Sequence, residues 1–359
     1  MIPIIALCAC GQREGAVPGI DLADLDESVS PKVDFYKYAV GGWQKNHPLK
    51  PEYARYGSFD ILGENNEKRL NDLFQSMSSL KAAHGTVEQK ISDLYKMGLD
   101  SLRRNEDGAA PLKPYIDEIL AISDKEALVR EIAAMHLASD SPFFGTYVMA
   151  DMIDSDSNIL YMSQSGLGMG DRDYYVKGCD PKLKDGYLAF LTKVLELAGI
   201  DDAEGRAADA LKVEDALAES SWTSVECRDM ERQYNPTTFA ELTTAYPNLS
   251  LGSYFEALGV KPEGKIVVTQ PSFFKAIDGI FAAEDVEVLK NYLLTQLVHG
   301  ACGALSDDFY NANFDFFSRQ MAGVQQQRPR WKRAMAVPNS LLSEAVGEMY
   351  VAKYFPAKD

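Results

Sequence analysis

Histidine and cysteine are scarce in this chain, which has four histidines and five cysteines in 359 residues. His47, His84, His136 and His299 are scattered, and none has a second histidine or a glutamate at the short helical spacing by which a zinc-protease helix presents its ligands. Each therefore reads as a surface or packed histidine, and no metal ligand is expected here. Cys179, Cys227 and Cys302 are widely and irregularly spaced, form no CxxC pair and are odd in number. That excludes a disulfide framework and predicts small buried or half-buried residues without chemistry. After the first few residues no run approaches the roughly 18 apolar residues that span a bilayer, which predicts a soluble mature chain. There is no GxSxG elbow. The glycine-rich stretch Gly166-Leu-Gly-Met-Gly170 misses the GxGxxG spacing, and no Gly-Lys-Ser/Thr follows it, so nucleotide binding is not expected. No catalytic residue can be named from composition and spacing.

Positive charge is the other deficit. Lys and Arg number 36 against 53 Asp and Glu, a formal net charge of -17, so the chain repels phosphate backbones and nucleic acid is excluded as a partner. The single basic run, Arg328 to Arg333, is too short to reverse this. With 46% hydrophobic and 25% charged residues the balance is that of an ordinary globular protein, and the length allows two domains or one large one.

The N-terminus differs from the rest. Met1-Ile-Pro-Ile-Ile-Ala-Leu-Cys-Ala-Cys10 is apolar and is followed by the small, polar run Gly11 to Gly15, which reads as the end of a secretory signal. Leu7-Cys8-Ala9-Cys10 looks like a bacterial lipobox, making Cys10 the expected lipidation site and the cell envelope, as a periplasmic or outer-membrane lipoprotein, the expected location. No Lys or Arg precedes the short apolar run, so this expectation requires a true start upstream of Met1; the alternative is an ordinary apolar N-terminus. The expected organisation is a partial lipoprotein signal over 1–10, a linker over 11–18 and one domain over 19–359, with the boundary near Pro18.

Periodicity predicts a mainly α fold. Leu183, Tyr187, Phe190, Leu191, Val194 and Leu195 mark one face of a helix that Gly199 would stop. Capping boxes are expected at Thr86 to Gln89, Ser123 to Glu126 and Thr238 to Glu241. Further helical patterns cover about 60–76, 202–222, 284–304 and 340–354, the last ending near Pro356. Residues 143–163 are the exception: two apolar runs flank Asp154-Ser-Asp-Ser-Asn158, which predicts a small β-hairpin. That turn imitates an EF-hand opening, but Ile159 stands where glycine is needed and Ser165 where a bidentate glutamate is needed, so a solvated turn is expected.

Several ordered motifs carry a resemblance. Gly19-Ile-Asp-Leu-Ala-Asp-Leu-Asp26, Asp34-Phe-Tyr-Lys-Tyr-Ala-Val-Gly-Gly-Trp43 and Arg55-Tyr-Gly-Ser-Phe-Asp60 resemble the start of the neprilysin and endothelin-converting-enzyme family of zinc metallopeptidases. Gln164-Ser-Gly-Leu-Gly with Asp171-Arg-Asp-Tyr-Tyr175, Asn313-Phe-Asp-Phe-Phe317, Gln327-Arg-Pro-Arg-Trp-Lys-Arg333 and Tyr350-Val-x-x-Tyr-Phe-Pro356 follow in family order. Lys32 and Val40 stand where animal members have cysteines, which suits a bacterial form.

The resemblance implies the N-terminal, mostly helical lobe that covers the active-site chamber and restricts it to small peptides. Family members are about twice as long, and their HExxH helix, downstream glutamate ligand and substrate-strand motif lie beyond the Tyr-Phe-Pro landmark. Zinc is therefore expected only with a C-terminal catalytic half, and this chain is expected to be inactive alone. Two functions stay open: part of a secreted or lipid-anchored metalloendopeptidase that hydrolyses small peptides, or a non-catalytic envelope lipoprotein that binds peptides or a partner protein. Membrane contact is expected only through the lipid anchor. The resemblance also implies a substrate-binding residue, Arg55, whose counterpart pairs with the free C-terminal carboxylate of a bound peptide. A planar guanidinium can hold both carboxylate oxygens and stays charged. Where the family can place a second arginine, this chain has Gly63. The bland alternative is that Arg55 pairs with a local acid, Asp60 or Glu52.

Overall fold

A computed structural model of the chain describes residues 19–79, 82–176 and 178–355. The predicted signal, linker and lipidation site Cys10, as well as Pro356, lie outside the described residues. The protein divides into two compact units, one ending at Lys68 and the other beginning at Arg69. No linker composition marks this division.

The first unit is built on capped helix starts. Asp21 caps a short 3-10 turn, Leu22–Asp24, and Asp34 caps helix α1, Phe35–Asn46, accepting the Lys37 N–H at 2.9 Å. Two buried glycines let α1 lie directly on that turn: a Cβ at Gly42 would stand 2.3 Å from the Ala23 carbonyl oxygen and 2.6 Å from that of Leu25. The Asp26 carboxylate accepts from Ser28 Oγ at 2.6 Å and Lys45 Nζ at 2.9 Å, and these donors, Ser28 first, hold its pKa at about 2. Helix α2, Ser58–Ser79, starts where Asp60 accepts the Gly57 N–H at 2.8 Å.

In the second unit α3 (Val87–Leu99), α4 (Ser101–Asp107), α5 (Lys113–Leu120) and α6 (Lys125–Leu137) precede the hairpin strands β1 (Phe144–Ala150) and β2 (Asn158–Gln164). Next come α7 (Pro181–Leu197), α8 (Ala203–Ser220), α9 (Met230–Gln233), β3 (Pro236–Thr237), α10 (Phe239–Ala245), α11 (Leu251–Ala257) and β4 (Ile266–Val268). The chain continues through α12 (Pro271–Ala283), α13 (Val286–Ala301), α14 (Asp307–Asn313), a π-helical segment Phe314–Met321, α15 (Arg330–Leu341) and α16 (Ser343–Tyr354). The sheet order is β1-β2-β4-β3, with β1 and β2 antiparallel, Tyr147 opposite Tyr161, and β4 parallel to β2. The predicted hairpin is therefore present, and its turn is closed by Asp154, which accepts from Ser157 Oγ at 2.8 Å. Strands β3 and β4 are two and three residues long, too short to carry an alternating pattern.

A large aromatic core, with Phe143, Tyr187, Tyr254, Phe273, Phe274 and Tyr292 fully buried, fills the space between the sheet and helices α6 to α8 and α11 to α13. A smaller core joins Leu70 and Phe74 to Ile91, Tyr95, Ala334, Met335 and Val346. There Gly98 brings α3 against α15, since a Cβ on it would lie 2.8 Å from the Ala334 Cα.

Most predicted helices appear with shifts of a few residues. Helix α7 buries Tyr187, Phe190, Leu191, Val194 and Leu195, and Gly199 follows it at φ +71°. Thr238 and Glu241 form the full capping box. Thr86 caps the Gln89 N–H, but the Gln89 side chain accepts from Gly85 at 2.9 Å, so that box is half formed. At the third site the cap is Asp124 rather than Ser123, accepting from Ala127 at 2.8 Å, while Glu126 pairs with Arg130. A carboxylate is the stronger acceptor beside the positive helix end. The region predicted as one helix over 340–354 begins at Ser343, and α15, which takes in Arg330 to Arg333 of the basic run and accommodates Pro338, precedes it.

Candidate functional site

Helix α1 and the segment that follows it line a cleft of about 490 Å³ within the first unit. The helical spacing of Tyr36, Val40, Trp43 and His47 puts these side chains on one wall, and Arg55, Tyr56 and Gly57 face them. The Trp43 and His47 rings stack with centroids 4.5 Å apart, and Tyr56 stacks on Trp43 at 6.3 Å. His47 Nδ1 lies 3.0 Å from the Trp43 carbonyl, which occupies one ring nitrogen. Asp24 and Gln44 add polar groups to the rim.

Arg55 is exposed on this cleft, and among the described residues it makes no hydrogen bond or ion pair. The local acid Asp60 is instead engaged at the start of α2, accepting the Gly57 N–H. Lys50, the neighbouring cation, is committed: its Nζ donates to both oxygens of Glu64, at 2.6 and 2.7 Å, and its pKa is raised by that carboxylate. The cleft thus offers one uncommitted guanidinium beside aromatic and aliphatic walls. Such a site can hold a carboxylate attached to an apolar group, and it contains no paired nucleophile and base.

The histidines are dispersed as the spacing suggested. His136 hydrogen-bonds Tyr254 Oη at 2.6 Å. His299 packs between Phe190 and Phe317, where burial pushes its pKa down to about 4. Cys302 is buried, and Cys179 and Cys227 are half-buried. Among the described residues no three His, Cys, Asp or Glu side chains converge to hold a metal ion, so this donor set does not fit zinc.

The Gly166–Gly170 stretch has a structural task that spacing did not show. It folds over Glu214 of α8, which is fully buried and accepts from Tyr175 Oη, Tyr187 Oη at 3.0 Å, Gln296 Nε2 at 2.7 Å and the Gly168 N–H at 3.3 Å. Gly168 is required there because a Cβ would lie 1.9 Å from Tyr187 Oη, and Gly166 adopts φ +93° with its carbonyl accepting from Tyr292 Oη at 2.7 Å. Burial raises the Glu214 carboxyl to about 7 against the lowering effect of its donors, Tyr175 first. Nothing in the sequence around Glu214 distinguishes it from an ordinary helical glutamate.

Residues 31–359 match the family described as Peptidase family M13. Human endothelin-converting enzyme 1 is 29% identical over 349 residues, covering 93% of this chain and 45% of that protein. Human membrane metallo-endopeptidase-like 1 is 23% identical, covering 93% of this chain and 46% of its own length. The inhibitor-bound crystal structure of the Mycobacterium tuberculosis zinc metalloprotease Zmp1 superposes with a TM-score of 0.90 at 29% identity, covering 94% of this chain and 52% of that one. PepO from Lactobacillus rhamnosis shares the fold, with a TM-score of 0.79 at 19% identity over 92% of this chain and 52% of its own. The chain spans about half the length of the relatives it matches. It belongs to peptidase family M13 and corresponds to that family's N-terminal portion.

Proposed function

We propose that this chain is the substrate-anchoring lobe of a zinc metalloendopeptidase that hydrolyses small peptides, and that it acts only together with a C-terminal catalytic half. The observation that carries this reading is Arg55, exposed on the aromatic cleft and uncommitted while Lys50 beside it is neutralised. In this role Arg55 pairs with the free carboxylate of a bound peptide and fixes how far the peptide reaches toward the metal. A zinc ion, held by the catalytic half and not by this chain, would supply Lewis-acid chemistry there; this chain's residues would bind and orient the substrate. Lipidation at Cys10 would tether the protein to the bacterial cell envelope.

The test has three parts. Purified chain should contain no stoichiometric zinc and cleave no fluorogenic peptide; tight one-to-one zinc, removable by chelator with loss of hydrolysis, would overturn the division of labour. With the catalytic half restored, Arg55→Ala should abolish a preference for peptides with free over amidated C-termini. Equal effects on both peptides would make Arg55 structural. Mass spectrometry of the native N-terminal peptide decides the anchor, an unmodified peptide through Cys10 counting against it.

A further inference from the structure

We infer that Glu64 is a positioning residue for Arg55, fastening the loop that carries the guanidinium to helix α2. This rests on the carboxylate-anchoring role proposed above. The loop from Lys50 to Gly57 has no regular structure beyond a turn in which the Tyr53 N–H donates to the Lys50 carbonyl at 3.0 Å. It is held from α2 at two points one helical turn apart. Asp60 accepts the Gly57 N–H at 2.8 Å. Glu64, at i+4 on the same face, accepts from Lys50 Nζ on both oxygens and from Tyr56 Oη at 3.0 Å.

Lys50 Nζ also sits 4.7 Å from the Tyr56 ring centroid, so carboxylate, ammonium and phenol form one closed group around Glu64, whose side chain is only 13% exposed. Burial disfavours the charged carboxyl, yet the hydrogen bonds from Lys50, Tyr53 and Tyr56 outweigh it and lower the pKa. Arg55 immediately precedes one clasped residue and lies five positions after the other. Two consequences follow from the geometry. The guanidinium starts from a fixed backbone, which reduces the entropy lost when a peptide carboxylate is captured. Lys50 also matches the Glu64 charge, so this neighbouring acid leaves Arg55 uncommitted.

Two measurements test this and separate it from the reading beneath it. In the chain itself, Glu64→Gln should speed hydrogen exchange of the Tyr53 and Gly57 amides, the two loop N–H groups that are hydrogen-bonded, roughly tenfold, the effect of losing one charge-assisted hydrogen bond, while α7 and α8 exchange as before. With the catalytic half present, the ratio of kcat/KM for free-acid over amidated peptides should fall roughly tenfold in Glu64→Gln and in Lys50→Met, through KM, and no further in the double variant. If Arg55→Ala leaves that ratio unchanged, the carboxylate reading fails and the positioning role with it. If Arg55→Ala removes the preference but Glu64→Gln does not lower it, Glu64 alone is overturned, whether or not exchange in the loop has changed.

Discussion

Replacing Glu214 by glutamine should change how stability responds to pH, with a sign fixed by the buried cluster. Glu214 has no solvent contact, and burial raises its carboxyl from 4.5 to about 7 despite four donors. A raised folded pKa means that the neutral acid is the form the fold prefers. Its stabilisation is complete below the unfolded value near 4.5 and is lost as pH rises through about 7. The shift corresponds to about 3 kcal/mol between those limits. His299 acts in the opposite direction: its depressed pKa means that stability present above 6.5 is lost as pH falls toward about 4. The two slopes overlap and partly cancel in the wild type. Glutamine imitates the neutral acid at every pH, so the difference in unfolding free energy, variant minus wild type, should climb by about 3 kcal/mol from pH 4.5 to 7.5. The variant alone should also lose stability on acidification below pH 6.5, with the histidine slope unmasked. Urea unfolding followed by circular dichroism at half-unit pH steps measures both. A difference constant to within about 0.5 kcal/mol would mean that Glu214 is ionised throughout, its donors outweighing desolvation, and the reasoning would fail.

Two glycines give opposite expectations. Gly63 is exposed and a Cβ there meets nothing within 4 Å, so Gly63→Arg should stabilise α2 by about 0.5–1 kcal/mol through helix propensity. With a catalytic half present, and on the proposed carboxylate-anchoring role, it should also strengthen the preference for free-acid peptides, since it adds a second guanidinium where the resemblance implies one; an unchanged acid-to-amide ratio would show that position 63 does not reach the substrate. At Gly42 the same test meets backbone, 2.3 Å from the Ala23 carbonyl oxygen, so Gly42→Ala must push α1 off its turn at a cost of about 1–3 kcal/mol. Faster amide exchange at residues 24–26 than in α7 would report the local displacement, and unchanged exchange would contradict it.

How much was legible in advance depends on the reach of each interaction along the chain. Helices with a sustained apolar stripe, such as α7, were plain because every residue that defines them lies within a few turns. The hairpin was plain for the same reason, its two strands being joined by one polar turn. Strand β4 was not, because its three residues are strand only through pairing with β2, about a hundred positions earlier, and with the two-residue β3, about thirty positions earlier. Asp124 displaced Ser123 as a cap through a difference in acceptor strength that the capping-box pattern ignores.

The site shows the same division. Arg55 was identified through a motif and not through any spacing rule, since one arginine among polar neighbours carries no chemistry by itself. What singles it out physically is the accounting around it. Glu64 takes Lys50, Asp60 takes a backbone N–H, and Arg55 is left as the cation of its loop without a partner among the described residues. Glu64 could have been suspected as i+4 to Asp60, but helix spacing pairs side chains on one helix, and the partner that matters lies in the loop before it. Glu214 is a harder case. Its donors come from the Gly166–Gly170 loop, Tyr175, α7 and α13, so the signal in sequence is a set of glycines and tyrosines with no fixed spacing. The glycine-rich stretch that looked like a failed phosphate loop was the visible edge of that cluster. Its glycines answer to a buried carboxylate and a tyrosine hydroxyl, and the Gly168 N–H that a phosphate loop would offer to a ligand is already donated to Glu214.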